Sequence, residues 1–276
     1  MAVAFLAGLF LTGLALLWHA ADDKPPQGAH SFSPPRAPAG DNAAGIPDRA
    51  RSPRLAIIVD DLGYDPVRDA EWLSFPEKIT ASVLPFGPSS RNIAASARAK
   101  GFGVILHVPM EPQGTAEDGT GPFRLRLGMS AVEIEDAFSR MARDVPGATG
   151  ASNHMGSAFT SDPEAMNAFA NALKGKGFFF VDSVTVAGSV GVDAARRAGV
   201  PAVRRDVFLD DDPRPETMRR QWERAIAVAK ERGDAVLICH SRRETLSVLL
   251  ELLPDLRREG IRAVTVEELL AGMRKG

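Results

Sequence analysis

Among 276 residues the chain has a single cysteine, Cys239, one tyrosine and three tryptophans. One thiol excludes any intrachain disulfide, so the fold is no disulfide scaffold, although an oxidising compartment stays open to it. Cys239 lies inside an apolar run and reads as a small buried hydrophobe rather than a reactive thiol. Charge of one sign is also missing: 33 Lys and Arg stand against 35 Asp and Glu, for a net charge of −2. Without a basic excess there is no electrostatic case for a nucleic-acid partner. The first apolar run of the body is followed by Asp60-Asp61-Leu62-Gly63. That is not a glycine-rich phosphate loop, which disfavours a doubly wound nucleotide-binding fold. No internal repeat is visible.

What is present divides the chain in three. Ala2 to Trp18 carries no charged residue. Its length reaches the lower limit of a spanning helix, about 18 residues, and exceeds the core of about 7–15 residues typical of signal peptides. Cleavage sites want small residues two apart, whereas Ala20 and Ala21 are paired with Trp18 and His19. Residues 1–21 are therefore expected to be an uncleaved membrane anchor, with a cleaved signal as the alternative. The body is expected to be exported, to the periplasmic or extracytoplasmic face of an inner membrane. Residues 22–53 are rich in Pro, Ala, Gly and Ser and nearly free of aliphatic side chains, so they read as a disordered tether.

From residue 54 to 276 short apolar runs alternate with helical patterns. The strands expected are Leu55–Val59, Ile79–Leu84, Gly103–Leu106, Thr149–Asn153, Phe178–Val181, Ala202–Arg205, Ala235–Cys239 and Arg262–Val266. Four helices are clear. Ser130–Val145 is amphipathic, Asp162–Lys174 opens with a cap and a proline, and Pro215–Arg232 is long. Ser241–Glu259 begins Ser-Arg-Arg-Glu, the pattern of a capping box. Seven or eight strand–helix units in one α/β body point to a distorted (β/α)7–8 barrel, with its chemistry at the strands' C-terminal ends.

Those ends are where the candidate residues fall. Asp60 and Asp61 follow the first strand, His107 the third, His154 the fourth and His240 the seventh. Asp61, His107 and His154 make a three-ligand set for a divalent metal that leaves room for water. An arginine near Asp60, for which Arg205 stands ready, would hold it ionised as a general base. Asp182 or Asp206 could support a ligating imidazole from behind. Asp210, Asp211 and Asp212 read as caps of the next helix, and His240 suits a general acid. Tyr64 beside the Asp pair, and Glu111 in a long rim loop reaching Arg124, are the candidate substrate contacts. Trp72 and Trp222 read as packing residues.

The stretches Ile57–Gly63, His107–Pro112, Asn153–Ser157, Phe179–Ser183 and Arg205–Asp210, with His240 and Glu244-Thr245, together resemble the divergent polysaccharide deacetylases. These are an offshoot of the carbohydrate esterases that remove N-acetyl groups from chitin-like and peptidoglycan polymers. The resemblance runs from about Leu55 to Leu270. It implies a distorted (β/α) barrel, a divalent metal with zinc as the expected ion, Asp60 as base and Asp61 as ligand. It also implies that His240 protonates the leaving amine and that Arg205 orients the base. The expected partner is a carbohydrate polymer. Three positions depart from the pattern: Ala158 stands four residues after His154 where better-studied relatives carry a second histidine, Val184 replaces an arginine and Ser241 a proline. An inactive deacetylase-fold protein that binds envelope glycan or a protein partner is the alternative, and an O-acetyl esterase is a third reading.

Overall fold

A computed structural model describes residues 52–114 and 123–273. The expected anchor, most of the tether and part of the rim loop lie outside those residues. Among the described residues no helix is long and apolar enough to cross a membrane.

The body alternates strands and helices throughout. In order these are β1 (Arg54–Leu62), α1 (Pro66–Trp72), β2 (Thr80–Val83), α2 (Ser90–Ala99), β3 (Gly103–Met110) and α3 (Ala131–Asp144). Then follow β4 (Gly150–Met155), α4 (Pro163–Lys176), β5 (Phe179–Asp182), α5 (Gly191–Arg197), β6 (Ala202–Arg204) and β7 (Val207–Phe208). Last come α6 (Pro215–Arg232), β8 (Asp234–His240), α7 (Arg243–Leu252), α8 (Pro254–Arg258), β9 (Arg262–Val264) and α9 (Val266–Met273). All the strand pairs are parallel, in the order β6-β5-β4-β3-β2-β1-β8-β7, with β9 beside the start of β1.

The two ends of that order, β6 and β7, are joined by only Arg205 and Asp206. Three Cα steps span at most about 11 Å, so the sheet must curl until its edges nearly meet. Arg205 N donates to Asp182 O and Asp206 N to Val236 O, so this dipeptide straddles the seam. The result is the expected α/β barrel-like fold, curled rather than fully laddered. The strand expected over Ala202–Arg205 forms over Ala202–Arg204, and a further two-residue strand, β7, follows it across the seam.

Period-two alternation sorts the strand residues. Leu55, Ile57, Val59, Val104, Leu106, Leu237 and Cys239 face the helices. Ala56, Ile58, Ile105, Val181, Val203, Val236 and Ile238 fill the barrel, with Val266, Leu269 and Leu270 of α9 packed among them. The next inward positions after that apolar layer are Asp60, His107, Ser183, Arg205 and His240. The same alternation that fills the barrel with aliphatics thus delivers polar groups to its C-terminal mouth.

Capping chemistry explains several helix starts. Asp162 accepts from Ala165 N with Pro163 in the first turn, as expected, and Ser130 with Glu133 forms a reciprocal capping box. The capping box expected at Ser241 does not form. Arg242 is the residue before α7, and the Ser241 hydroxyl donates instead to Asp61 O at 3.3 Å. The expected helix Ser241–Glu259 is also cut in two, because Pro254 lacks an N–H and starts α8 afresh.

Trp72 and Trp222 are fully buried. In the outer core, the Phe169 ring lies 5.3 Å from Phe138, 5.9 Å from Phe180 and 6.4 Å from Phe159. Phe169→Ala is expected to cost about 3–5 kcal/mol, since one truncation opens a cavity shared by three rings. Denaturant unfolding of the purified protein measures it.

Candidate metal centre

A regular strand would send Asp60 and Asp61 to opposite faces. Here β1 is irregular against β2 between Val59 and Leu62, and Asp61 takes a left-handed backbone with φ 64°. For a non-glycine residue such a conformation costs on the order of 1–3 kcal/mol and persists only when held. It is held: Ser241 N donates to Asp60 O at 3.0 Å, and Ser241 Oγ to Asp61 O. Just beyond, Gly63 sits at φ 116°, where a Cβ would come within 2.6 Å of Ser90 Oγ and 3.0 Å of Leu84 O. The bulge thereby turns both carboxylates to the mouth of the barrel.

β3 and β4 bring the imidazoles. All three histidines lie within strands longer than expected, rather than after them. Pro109 is tolerated inside β3 because β2 has already ended at Val83, opposite Leu106. His154 Nδ1 is 3.0 Å from Asp61 Oδ1, His107 Nε2 is 3.3 Å from the same oxygen, and the two nitrogens are 3.3 Å apart. Metal–ligand bonds of about 2.0–2.1 Å place the corners of a tetrahedron about 3.3–3.4 Å apart. The three atoms therefore approximate one face of such a tetrahedron, with a fourth corner free. Asp61 Oδ1 is buried and makes no hydrogen bond of ordinary geometry. The N2O donor set fits a divalent cation of the zinc type, and Asp61, His107 and His154 would hold it.

The electrostatics separate the two carboxylates. Burial pushes Asp60 above the usual carboxylate range, more than nearby imidazoles and the Ser82 hydroxyl draw it down. Asp61 is pushed up by burial too, but the close His107 and His154 imidazoles outweigh that and hold it well below the range. Across the site, β8 pairs Asp60 with His240 in direct register, and His240 Nε2 lies 3.9 Å from Asp61 Oδ2. His240 Nδ1 is 3.0 Å from Asp210 Oδ1. Burial lowers this imidazole, but Asp210 more than compensates and raises it above its ordinary value. Asp210 itself is fully buried and accepts also from Thr245 Oγ1 at 2.7 Å and from His240 N. It does not cap the following helix, as its spacing suggests; only Asp212 sits at that turn, accepting from Arg214 N. The sequence signal for Asp210 is its place at the mouth of the barrel, obscured by two acidic neighbours.

The other expected residues fall as follows. Arg205 donates to Ser183 O at 2.7 Å and Val184 O at 3.0 Å, and its guanidinium lies 4.8 Å over the Phe208 ring. Neither bond goes to Asp60, the base it is expected to orient. Those two bonds brace Val184, a β-branched residue at φ 51°. Asp182 does not support an imidazole: its carboxylate accepts from Val184 N and Ser189 Oγ. Asp206 does not either, since it accepts from Val236 N and pairs with Arg232 at 3.0 Å. Both carboxylates stabilise the chain around the seam. Tyr64 is part-exposed and donates to Pro85 O. It packs against Gly87, next to an exposed Phe86–Phe123 ring pair 4.5 Å apart. Glu111 is tied into the loop base through Leu127 N. Ser82 and Ser152, fully buried behind His107, escape a reading of the sequence. The signal that could find them is a polar side chain at alternate positions of otherwise apolar strands.

Comparison with known proteins places this arrangement. An uncharacterized protein of Haemophilus influenzae is 37% identical over 207 residues, covering 73% of this chain and 72% of that one. The uncharacterized protein YibQ of Escherichia coli is 37% identical over 203 residues, covering 74% and 63% respectively. The crystal structure of an uncharacterized protein of Agrobacterium tumefaciens, ATU2773, superposes with a TM-score of 0.76 at 24% identity, over 80% of this chain and 90% of that one. A family model, divergent polysaccharide deacetylase, matches residues 57–270, which contain every residue of the candidate centre. With most of its barrel inside that match, the chain belongs to the divergent polysaccharide deacetylase family.

Proposed function

We propose that this chain is a metal-dependent hydrolase that removes acetyl groups from an N-acetylated cell-envelope polysaccharide, exported and tethered by its N-terminal segment. One observation carries the reading: Asp60 and His240 flank the Asp61, His107 and His154 triangle, one with a raised carboxyl and the other with a carboxylate behind it. A divalent cation bound at that triangle would supply Lewis acidity and a lowered water pKa. Asp60, with a buried oxygen that has no hydrogen-bond partner, accepts the proton of the attacking water. His240, protonated and held through Nδ1 by Asp210, gives a proton from Nε2 to the departing amine. The exposed faces of Tyr64, Phe86 and Phe123 suit the apolar faces of sugar rings. Acetate release from chitin and peptidoglycan oligomers by the metal-loaded protein is the test. No release from any such fragment would sink the reading.

The Asp210–His240 pair gives this reading a pH signature. His240 acts in its protonated form, so activity falls as pH rises through its pKa. Removing the carboxylate charge in Asp210→Asn lowers that pKa, and the alkaline limb of the rate profile is expected to move to lower pH. At neutral pH the same change is expected to forfeit much of the general-acid contribution, typically about 10²–10⁴-fold. An unmoved limb would remove His240 from the role.

A further inference from the structure

Behind the metal centre two serines interrupt the apolar lining of the barrel. Ser82 and Ser152 are fully buried, and a buried hydroxyl costs stability unless it is hydrogen-bonded. Each is bonded, and the partners form a chain. Ser152 sits in direct register with His107 and its Oγ lies 2.8 Å from His107 Nδ1. Ser82 Oγ lies 2.9 Å from Ser152 Oγ. The second imidazole has no such support: His154 Nε2 is buried and without a hydrogen-bond partner.

The ligand role of His107 fixes the direction of the chain. Its Nε2 faces Asp61 and His154, so a metal held there needs the lone pair on Nε2 and the proton on Nδ1. Nδ1–H then donates to Ser152 Oγ, and Ser152, with one proton to give, donates to Ser82 Oγ. We infer that Ser82 and Ser152 are positioning residues: a two-hydroxyl wire that holds His107 in the tautomer and rotation a metal ligand needs.

This inference rests on the metal reading above, and the test separates the two. Zinc affinity of the full-length protein is measured by chelator competition for wild type, Ser152→Ala, Ser152→Thr, Ser82→Ala and the double alanine variant. Loss of a partner behind a ligating histidine typically weakens metal binding about 10–100-fold, and Ser152→Ala is expected in that range. Ser152→Thr, which keeps the hydroxyl, is expected to recover most of the loss. Ser82→Ala leaves the Ser152 proton free to turn toward Nδ1, so it should weaken binding too. The double variant should lose no more than Ser152→Ala, because both changes cut the same chain. Ring ¹⁵N shifts of His107 in the zinc-loaded protein supply a readout that packing alone would not move: Nδ1 protonated in wild type, altered in Ser82→Ala. Wild-type affinity in both alanine variants, or losses that simply add, would overturn the wire while leaving the centre standing. A wild-type protein that takes up no zinc would overturn the centre and the wire with it. Should Ser152→Ala fail to fold, Ser82→Ala and Ser152→Thr carry the same test.

Discussion

Asp60→Asn is expected to lower acetate release by about 10²–10⁴-fold, the usual contribution of a positioned general base, while metal content stays at the wild-type level. The substitution keeps the shape of the side chain, so the neighbouring Asp61 and His107 keep their surroundings. It removes the group that takes a proton. Burial already holds the Asp60 carboxyl above the usual range, which makes it a stronger base than a solvated carboxylate. Parallel measurement of acetate release and bound metal separates the two roles. If cells and glycan binding are indifferent to Asp60→Asn, and the wild type releases no acetate, the protein is a glycan- or partner-binding member of its family.

The second large effect is on the metal itself. Asp61→Ala combined with His154→Ala leaves one imidazole of three ligand atoms, and binding is expected to fall by far more than the roughly 100-fold that outer partners command. Metal analysis after loading and dialysis reads it directly. Asp61→Asn is the sharper companion, because Asp61 has a backbone demand as well as a ligand role. Asparagine tolerates the left-handed conformation at φ 64° better than alanine does, so it removes the charge and keeps the bulge. Loss of metal in Asp61→Asn, with thermal unfolding of the metal-free protein unchanged, assigns the effect to ligation. Retention of stoichiometric metal in the double variant would place the ion elsewhere.

Much of this site is legible in the amino-acid sequence. Asp60, His107 and His240 each follow an apolar run, Asp61 and His154 stand at the ends of strands, and parallel strands of a barrel deliver such positions to one rim. Burial of Cys239, Trp72 and Trp222 follows from their apolar surroundings. What misleads is local chemistry with two uses. Ser241 and Glu244 have capping-box spacing, yet the Ser241 hydroxyl serves the Asp61 carbonyl instead. Asp210 has the look of a helix cap, yet its carboxylate faces His240, 30 positions away. Asp182 and Asp206 stand at strand ends where a carboxylate could back an imidazole, yet each satisfies a backbone N–H near the seam.

The sequence by itself determined the alternation of strand and helix and which residues stand near the mouth of the barrel. These are matters of period two, period 3.6 and apolar content, all local. Tertiary structure alone decided that β1 bulges so that Asp60 and Asp61 serve one site, and that Asp210 rather than Asp182 or Asp206 stands behind an imidazole. It also decided that Ser82 and Ser152 meet behind His107. Each of these depends on the register between strands far apart in the chain, and a shift of one residue reverses which side chains face inward. Register is set by the packing of the whole barrel, and no short stretch of sequence contains it.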